Sequence, residues 1–237
     1  MKFVYKLLFI FLLSLFVNNT LKAETYFTNE LGTEFTKKEY DFVSEMFWDG
    51  YQNNMTLKEL NEMRESNALN GKITKKRFLI NDNDVKSLNN GGRVLSMNSS
   101  CGNTCLITIN ATWNVNPSIK SYDVIGFRTT GVTITNTNSA FVSGTNYSMS
   151  YSYNKSASNG RGYSIKFPNT SNVIISASMY TTTGGTIYGS YQHAKSNISL
   201  DNSKLYTFSA NGSGNTFLFY GAAFGKYDNI NGLSISV

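Results

Sequence analysis

From residue 105 onward the chain alternates between apolar and polar positions. Cys105, Ile107, Ile109, Ala111, Trp113 and Val115 are interleaved with Thr108, Asn110, Thr112 and Asn114. A period of two puts one set of side chains on a buried face of a strand and the other on a polar face. Pro117 ends this run. The same pattern returns at Tyr122–Arg128 and Val132–Thr135, which flank Gly131. It returns again at Tyr147, Met149, Tyr151 and Tyr153, and at Tyr163, Ile165 and Phe167 behind an Asn159-Gly160 turn. Further strands are expected at Leu205–Ala210, Thr216–Tyr220 and Gly232–Val237.

The stretch Asn172–Ala194 is the most regular part of this array. Val173, Ile175, Ala177 and Met179 fall on one face of its first arm, with Ser176 and Ser178 on the other. After Gly184-Gly185, Ile187, Gly189, Tyr191 and His193 alternate with Tyr188, Ser190 and Gln192. Two period-two arms around a Gly-Gly break predict a hairpin. On that reading Tyr188, Ser190 and Gln192 share a polar, solvent-facing side, and Tyr180 stands near them across the turn. About nine or ten short strands with Gly, Asn and Ser turns predict an antiparallel β-sandwich or jelly roll over 101–237.

The N-terminal third has a different period. Thr36-Lys-Lys-Glu39 and Thr56-Leu-Lys-Glu59 are capping boxes, in which each threonine and glutamate satisfies a free helix-end amide. Behind the first, Tyr40, Val43, Met46 and Phe47 recur at helical spacing, widened by Phe42 and Trp48, and Gly50 is placed to stop the helix. Behind the second come Leu57, Leu60 and Met63. A helical hairpin is therefore expected over 24–66. Residues 67–100, rich in Asn, Ser, Gly and Lys, read as a linker. Within them Lys75-Lys76-Arg77 fits either a processing site or the polar start of a short strand.

Residues 1–23 read as a signal peptide. Lys2 and Lys6 precede an apolar run, Leu7–Val17, of 11 residues, against about 20 for a membrane-spanning helix. Leu21-Lys22-Ala23 supplies a cleavage site near Ala23, so a secreted, extracellular protein is expected. Removing these residues takes Lys2, Lys6 and Lys22 from the 21 basic side chains and none of the 15 acidic ones, leaving 18 − 15 = +3.

Export also decides the cysteines. Cys101 and Cys105 are the only pair, and in an oxidising compartment they predict a disulfide. A lone C-x3-C with one distant histidine lacks the ligands of a zinc site.

Little in the pattern points to catalysis. His193 is the single histidine. A triad would need Asp201 to orient it and a serine to serve as nucleophile, but no strand-to-helix serine elbow occurs. Residues 100–237 contain only Asp123, Asp201 and Asp228 as acids, too few for a paired-carboxylate cleft. No cofactor and no metal ligand set is expected, no arginine-rich run suggests nucleic acid, and His193 reads as a hydrogen-bonded structural residue.

The β region carries 11 Tyr and 7 Phe among abundant Ser, Asn and Thr. That composition suits binding surfaces. The expected function is therefore a non-catalytic binding or adhesion protein recognising a glycan, a cell-wall polymer or a protein surface, with Tyr180, Tyr188, Ser190, Gln192 and Arg161 as contact residues. The alternative is a membrane-binding or pore-forming secreted protein, with peripheral membrane contact through the Tyr147–Phe167 hairpin. The arms of that hairpin are shorter than the 9–11 residues of a tilted membrane strand.

Overall fold

The computed structural model describes residues 24–80, 93–114, 116–137, 141–144, 147–150, 153–157, 159–204, 206–207, 218–219 and 227–237. Residues 1–23, read as a signal peptide, and much of Leu205–Tyr220 lie outside them.

The chain begins with a short ribbon, β1 (Phe27–Thr28) and β2 (Glu34–Phe35), followed by helices α1 (Lys37–Met46) and α2 (Leu57–Glu65). Both capping boxes form. The Thr36 hydroxyl accepts from the Glu39 amide and the Glu39 side chain accepts from the Thr36 amide, with the same exchange between Thr56 and Glu59. Burial works to raise the Glu39 carboxyl, but the Arg64 hydrogen bond and those of Thr36 outweigh it and hold it below its ordinary value. The Arg64 guanidinium lies 2.7 Å from that carboxylate and ties α2 to α1. Helix α1 ends at Met46, before Gly50. Gly50 instead takes a left-handed φ of 97° ahead of a 3-10 turn over Tyr51–Asn54.

The described parts of the region read as a linker contain regular strands. β3 (Thr74–Ile80) and β4 (Arg93–Cys101) are paired antiparallel strands, so Lys75-Lys76-Arg77 lies within a strand. The expectation of loose structure failed because the alternation of Leu95 and Met97 with Ser96 and Asn98 is short and sits in a polar composition.

β5 (Cys105–Trp113) follows, then β6 (Tyr122–Thr130), β7 (Ile134–Thr137), β8 (Phe141–Gly144), β9 (Tyr147–Ser150), β10 (Tyr153–Ala157), β11 (Gly160–Lys166), β12 (Val173–Thr181) and β13 (Thr186–Ala194). A one-turn helix α3 (Leu200–Ser203), a ribbon of β14 (Tyr206–Thr207) and β15 (Leu218–Phe219), and β16 (Tyr227–Ser236) complete the order.

The sandwich is built from a seven-stranded sheet, β3-β4-β5-β12-β8-β9 with β7 also on β12, and a five-stranded sheet, β10-β11-β6-β13-β16. All its pairings are antiparallel. The architecture is thus mainly β, an antiparallel sandwich preceded by a short helical segment.

The two arms of Asn172–Ala194 do not form a hairpin. β12 pairs with β5, β7 and β8, whereas β13 pairs with β6 and β16 in the opposite sheet. The Gly-Gly break is a corner between layers. Gly184 has φ +92°, and a Cβ on Gly185 would collide with the Thr130 carbonyl of a neighbouring connection. The Val237 carbonyl accepts from the amides of both glycines, at 2.6 and 3.1 Å. The Tyr147–Tyr153 run divides in the same way: β9 pairs with β8 and β10 with β11.

Between the sheets lies one core, including Leu95, Met97, Ile107, Ile109, Trp113, Ile125, Phe127, Ile175, Met179, Ile187 and Tyr191. A second core fills the space between the helices and the outer face of the seven-stranded sheet. There Phe42, Val43, Met46, Leu60 and Met63 meet Leu106 and Tyr180. Burying each such side chain contributes about 1.5–3 kcal/mol, so the helical segment is an integral third layer at this end of the sandwich.

The disulfide Cys101–Cys105 closes the turn between β4 and β5. Its loop is also a docking point, since the amides of Asn103 and Thr104 donate to the Ser66 carbonyl at the end of α2 at 2.9 and 3.4 Å.

Candidate functional site

The alternation of β5 decides where the helices can sit. Its inward side chains feed the main core, and its outward Thr108, Asn110 and Thr112 are polar. Asn98 of β4 and Thr108 of β5 donate to the Met46 carbonyl at 2.7 and 2.6 Å, and Asn110 donates to the Phe47 carbonyl at 3.2 Å. The sheet thereby caps the C-terminal end of α1, whose last carbonyls lack partners within the helix. This explains why the helix stops at Met46, and Ser176 donates to Asn110 Oδ1 at 2.6 Å to fix that amide.

Beyond this clamp the same outer face is open. A groove of about 270 Å³ lies beside α1, lined by Glu45, Phe47, Lys75, Lys76, Arg77, Val94, Ser96, Asn98, Thr112 and Asn114. Register explains the lining. Lys75 stands opposite Asn98 and Arg77 opposite Ser96, so both cations share the outer face with the polar side chains of β4. Val94 stands opposite Thr112 of β5. Lys75 pairs with Glu45 across the groove at 3.0 Å. No described residue pairs with Arg77. Sequence reasoning passed over these residues because Lys75-Lys76-Arg77 was weighed as a processing site. Leu95 and Met97 inward against Ser96 and Asn98 outward was the signal that could have found them.

The sequence-derived contact residues do not converge on one surface. Tyr180 is buried in the helical core, on the outer face of the seven-stranded sheet. Tyr188, Ser190 and Gln192 are on the outer face of the five-stranded sheet, on the other side of the sandwich. Ser190 and Gln192 are fully buried there, as are their neighbours Val124 and Ser164. Their expected exposure is therefore corrected: with both faces of β13 covered at this level, a polar side chain in the alternation does not mark solvent. Tyr188 is half-buried, with the Arg128 guanidinium 5.5 Å from its ring centre. Arg161 is half-buried at the β10–β11 turn and donates to the Gly160 carbonyl at 2.9 Å.

His193 is fully buried between the sheets. Its partner is Asp123, not Asp201. His193 Nδ1 lies 2.9 Å from Asp123 Oδ2, and the Ala194 amide donates to Asp123 Oδ1 at 3.0 Å. The Tyr191 hydroxyl also donates to Asp123, and accepts from Trp113 Nε1 at 3.0 Å. Burial, then the charge and hydrogen bond of Asp123, push the Tyr191 hydroxyl well above its ordinary value. The Trp113 ring packs against His193 at 4.5 Å and under the Arg93 guanidinium at 4.9 Å. Asp201 lies on α3, exposed and paired with Lys204. The acid Asp123 was visible at an inward position of β6, beside Ile125 and Phe127. The cluster is an internal polar anchor, fully buried, whose hydrogen bonds run among Trp113, Asp123, Tyr191, His193 and the Ala194 amide.

Among the described residues no group of three or more His, Cys, Asp and Glu side chains could hold a metal ion. No described helix is long and apolar enough to cross a membrane.

No protein-family model matches the chain, and no curated protein sequence matches it. Two solved structures are similar in part. One is the collagen-binding domain of the Erysipelothrix rhusiopathiae surface protein RspB, with TM-score 0.33 and 5% identity over 69% of this chain and 58% of that one. The other is the collagen-binding domain of a Staphylococcus aureus adhesin, with TM-score 0.26 and 11% identity over 53% of this chain and 86% of that one. Both carry the name of a collagen-binding domain. A likeness this loose assigns neither ligand nor contact residues, and the site rests on the geometry above.

Proposed function

We propose that the chain is an exported, non-catalytic binding module of the adhesion type. It engages a glycan, a wall polymer or a protein surface through the open part of the outer face of the seven-stranded sheet. The groove carries this reading. It combines a concave surface, the two cations Lys75 and Arg77 and a floor of short hydroxyl and amide side chains on a rigid sheet, which is the make-up of a recognition site. His193, Asp123 and Tyr191, by contrast, are sealed in the core. The buried contact residues on β13 give way to Arg77, Ser96, Thr112 and Asn114 as the side chains that meet the ligand.

The test is a glycan, protein and vesicle panel probed with the purified protein and with Arg77→Ala and Asn114→Ala variants. Binding that falls in the groove variants while their melting temperatures hold supports the reading. Binding that survives both substitutions places the contact elsewhere. Dye release from loaded vesicles, undiminished by the groove variants, would favour the membrane-active alternative instead.

A further inference from the structure

We infer that the groove recognises a carboxylated saccharide, with Arg77 holding the sugar carboxylate and the floor holding its hydroxyls. This rests on the reading of the groove as the binding surface and adds the class of ligand.

Charge is the first argument. Among the described lining residues, Lys75 and Arg77 share the groove face with one carboxylate, Glu45, which already pairs with Lys75 at 3.0 Å. The positive charge not engaged by Glu45 is the Arg77 guanidinium on the β3 wall, since Lys76 stands opposite inward-facing Met97 and turns to the other face. A guanidinium is a planar fork that matches a carboxylate with two parallel hydrogen bonds. Glu45 stands on the facing α1 wall, where its pairing with Lys75 of β3 partly neutralises it.

The floor is the second argument. Ser96 of β4, Thr112 of β5 and Asn114 just beyond its end project from neighbouring strands as a row of small donors and acceptors. A ligand bearing many hydroxyls on a compact ring finds a partner for each. Phe47 and Val94 add a small apolar patch, which suits the C–H side of a sugar ring.

Other anionic ligands match less well. β4 is laddered along its whole length to β5 on one side and along Thr74–Ser99 to Ile80–Arg93 with β3 on the other. The floor therefore has no backbone edge to which a peptide strand could add. A nucleic-acid backbone calls for a track of several cations, and here the groove face carries Arg77 and a Lys75 already engaged by Glu45. A lipid surface calls for exposed apolar side chains. The exposed large ones among the described residues are Tyr26, Leu31 and Leu57, and none of them lines the groove.

The experiment is calorimetric titration of the purified protein with an oligogalacturonate, a sialylated oligosaccharide, an uncharged maltooligosaccharide, poly-glutamate and a single-stranded oligodeoxynucleotide. The expected result is saturable binding to a carboxylated saccharide that exceeds binding to the other probes. Arg77→Ala should weaken it about tenfold or more, the scale of a charge-assisted bidentate pair. Arg77→Lys should restore part of the loss, and Thr112→Val should weaken binding at unchanged melting temperature. Failure of both carboxylated saccharides to bind overturns the inference. Equal or tighter binding of the maltooligosaccharide, poly-glutamate or oligonucleotide, still lowered by the groove variants, overturns the ligand class and leaves the groove reading standing. Binding of a carboxylated saccharide that no groove variant alters removes both.

Discussion

Replacing Asp123 tests whether the polar cluster is the internal anchor of the sandwich. Asp123 is fully buried and accepts hydrogen bonds from the Tyr191 hydroxyl, the Ala194 amide and His193 Nδ1. Asp123→Ala deletes the acceptor and leaves three donors without one. A buried donor left unpaired costs about 1–3 kcal/mol. Water entering the space vacated by the carboxylate can relieve part of this, so the expected loss is about 4 kcal/mol. For a domain of this size that lowers the melting temperature by about 8–16 °C.

Asp123→Asn keeps the shape and one acceptor oxygen but turns an amide donor toward the same neighbours, and should cost about 1–3 kcal/mol. The measurement is urea unfolding of both variants, followed by near-ultraviolet circular dichroism, where Trp113 and Tyr191 report on the cluster. A loss below about 1 kcal/mol for Asp123→Ala would refute the reasoning, since orphaned donors in a closed core cannot be that cheap. Equal losses for the two variants would show that charge, and not acceptor geometry, is what the site requires.

His193→Ala should destabilise by about 2–4 kcal/mol through the lost contact with Trp113 and the lost bond to Asp123, yet leave ligand affinity unchanged below the melting transition. A loss of binding at unchanged melting temperature would contradict this. Thr108→Val removes one cap from the Met46 carbonyl and should cost about 1 kcal/mol, and adding Asn98→Ala should raise the loss to about 3 kcal/mol; urea midpoints check the pair. Burial raises the hydroxyls of both Tyr51 and Tyr191. A group whose value is raised on folding stabilises fully below its unfolded value and loses that contribution as pH rises through the folded one. The urea midpoint should therefore hold up to about pH 10 and fall beyond it, more gently in Tyr191→Phe. Opening the Cys101–Cys105 bond by Cys→Ser substitution should cost about 2 kcal/mol, measured in the same way, with reducing agent leaving the double variant unaffected.

Much of the architecture was legible because its signals are local. A capping box is complete within four residues, so Thr36 and Glu39 announced α1 without reference to the rest of the chain. Period two reports only that a strand has two unlike faces, and it placed β5, β12 and β13 on that basis. The disulfide followed from spacing and number. The candidate site was far less legible. Its floor comes from β4 and β5 and its walls from α1 and β3, and whether a Ser or Asn on those strands meets helix or solvent depends on where α1 stops. Asn98 and Thr108 fix that point from 62 or fewer residues away along the chain, a distance over which sequence pattern has no reach.

The sequence by itself determined the two helices and most of the strands, with their inward faces. Only the tertiary structure decided how those elements pair. Arms β12 and β13 have the alternation of a hairpin, but the Gly184-Gly185 corner sends them to different sheets, because packing two layers face to face buries more apolar surface than a free hairpin can. The same packing sealed His193 against Asp123, covered Ser190 and Gln192, and left the Arg77 groove open. Burial is a property of what lies across from a side chain, and that neighbour is chosen by the fold as a whole.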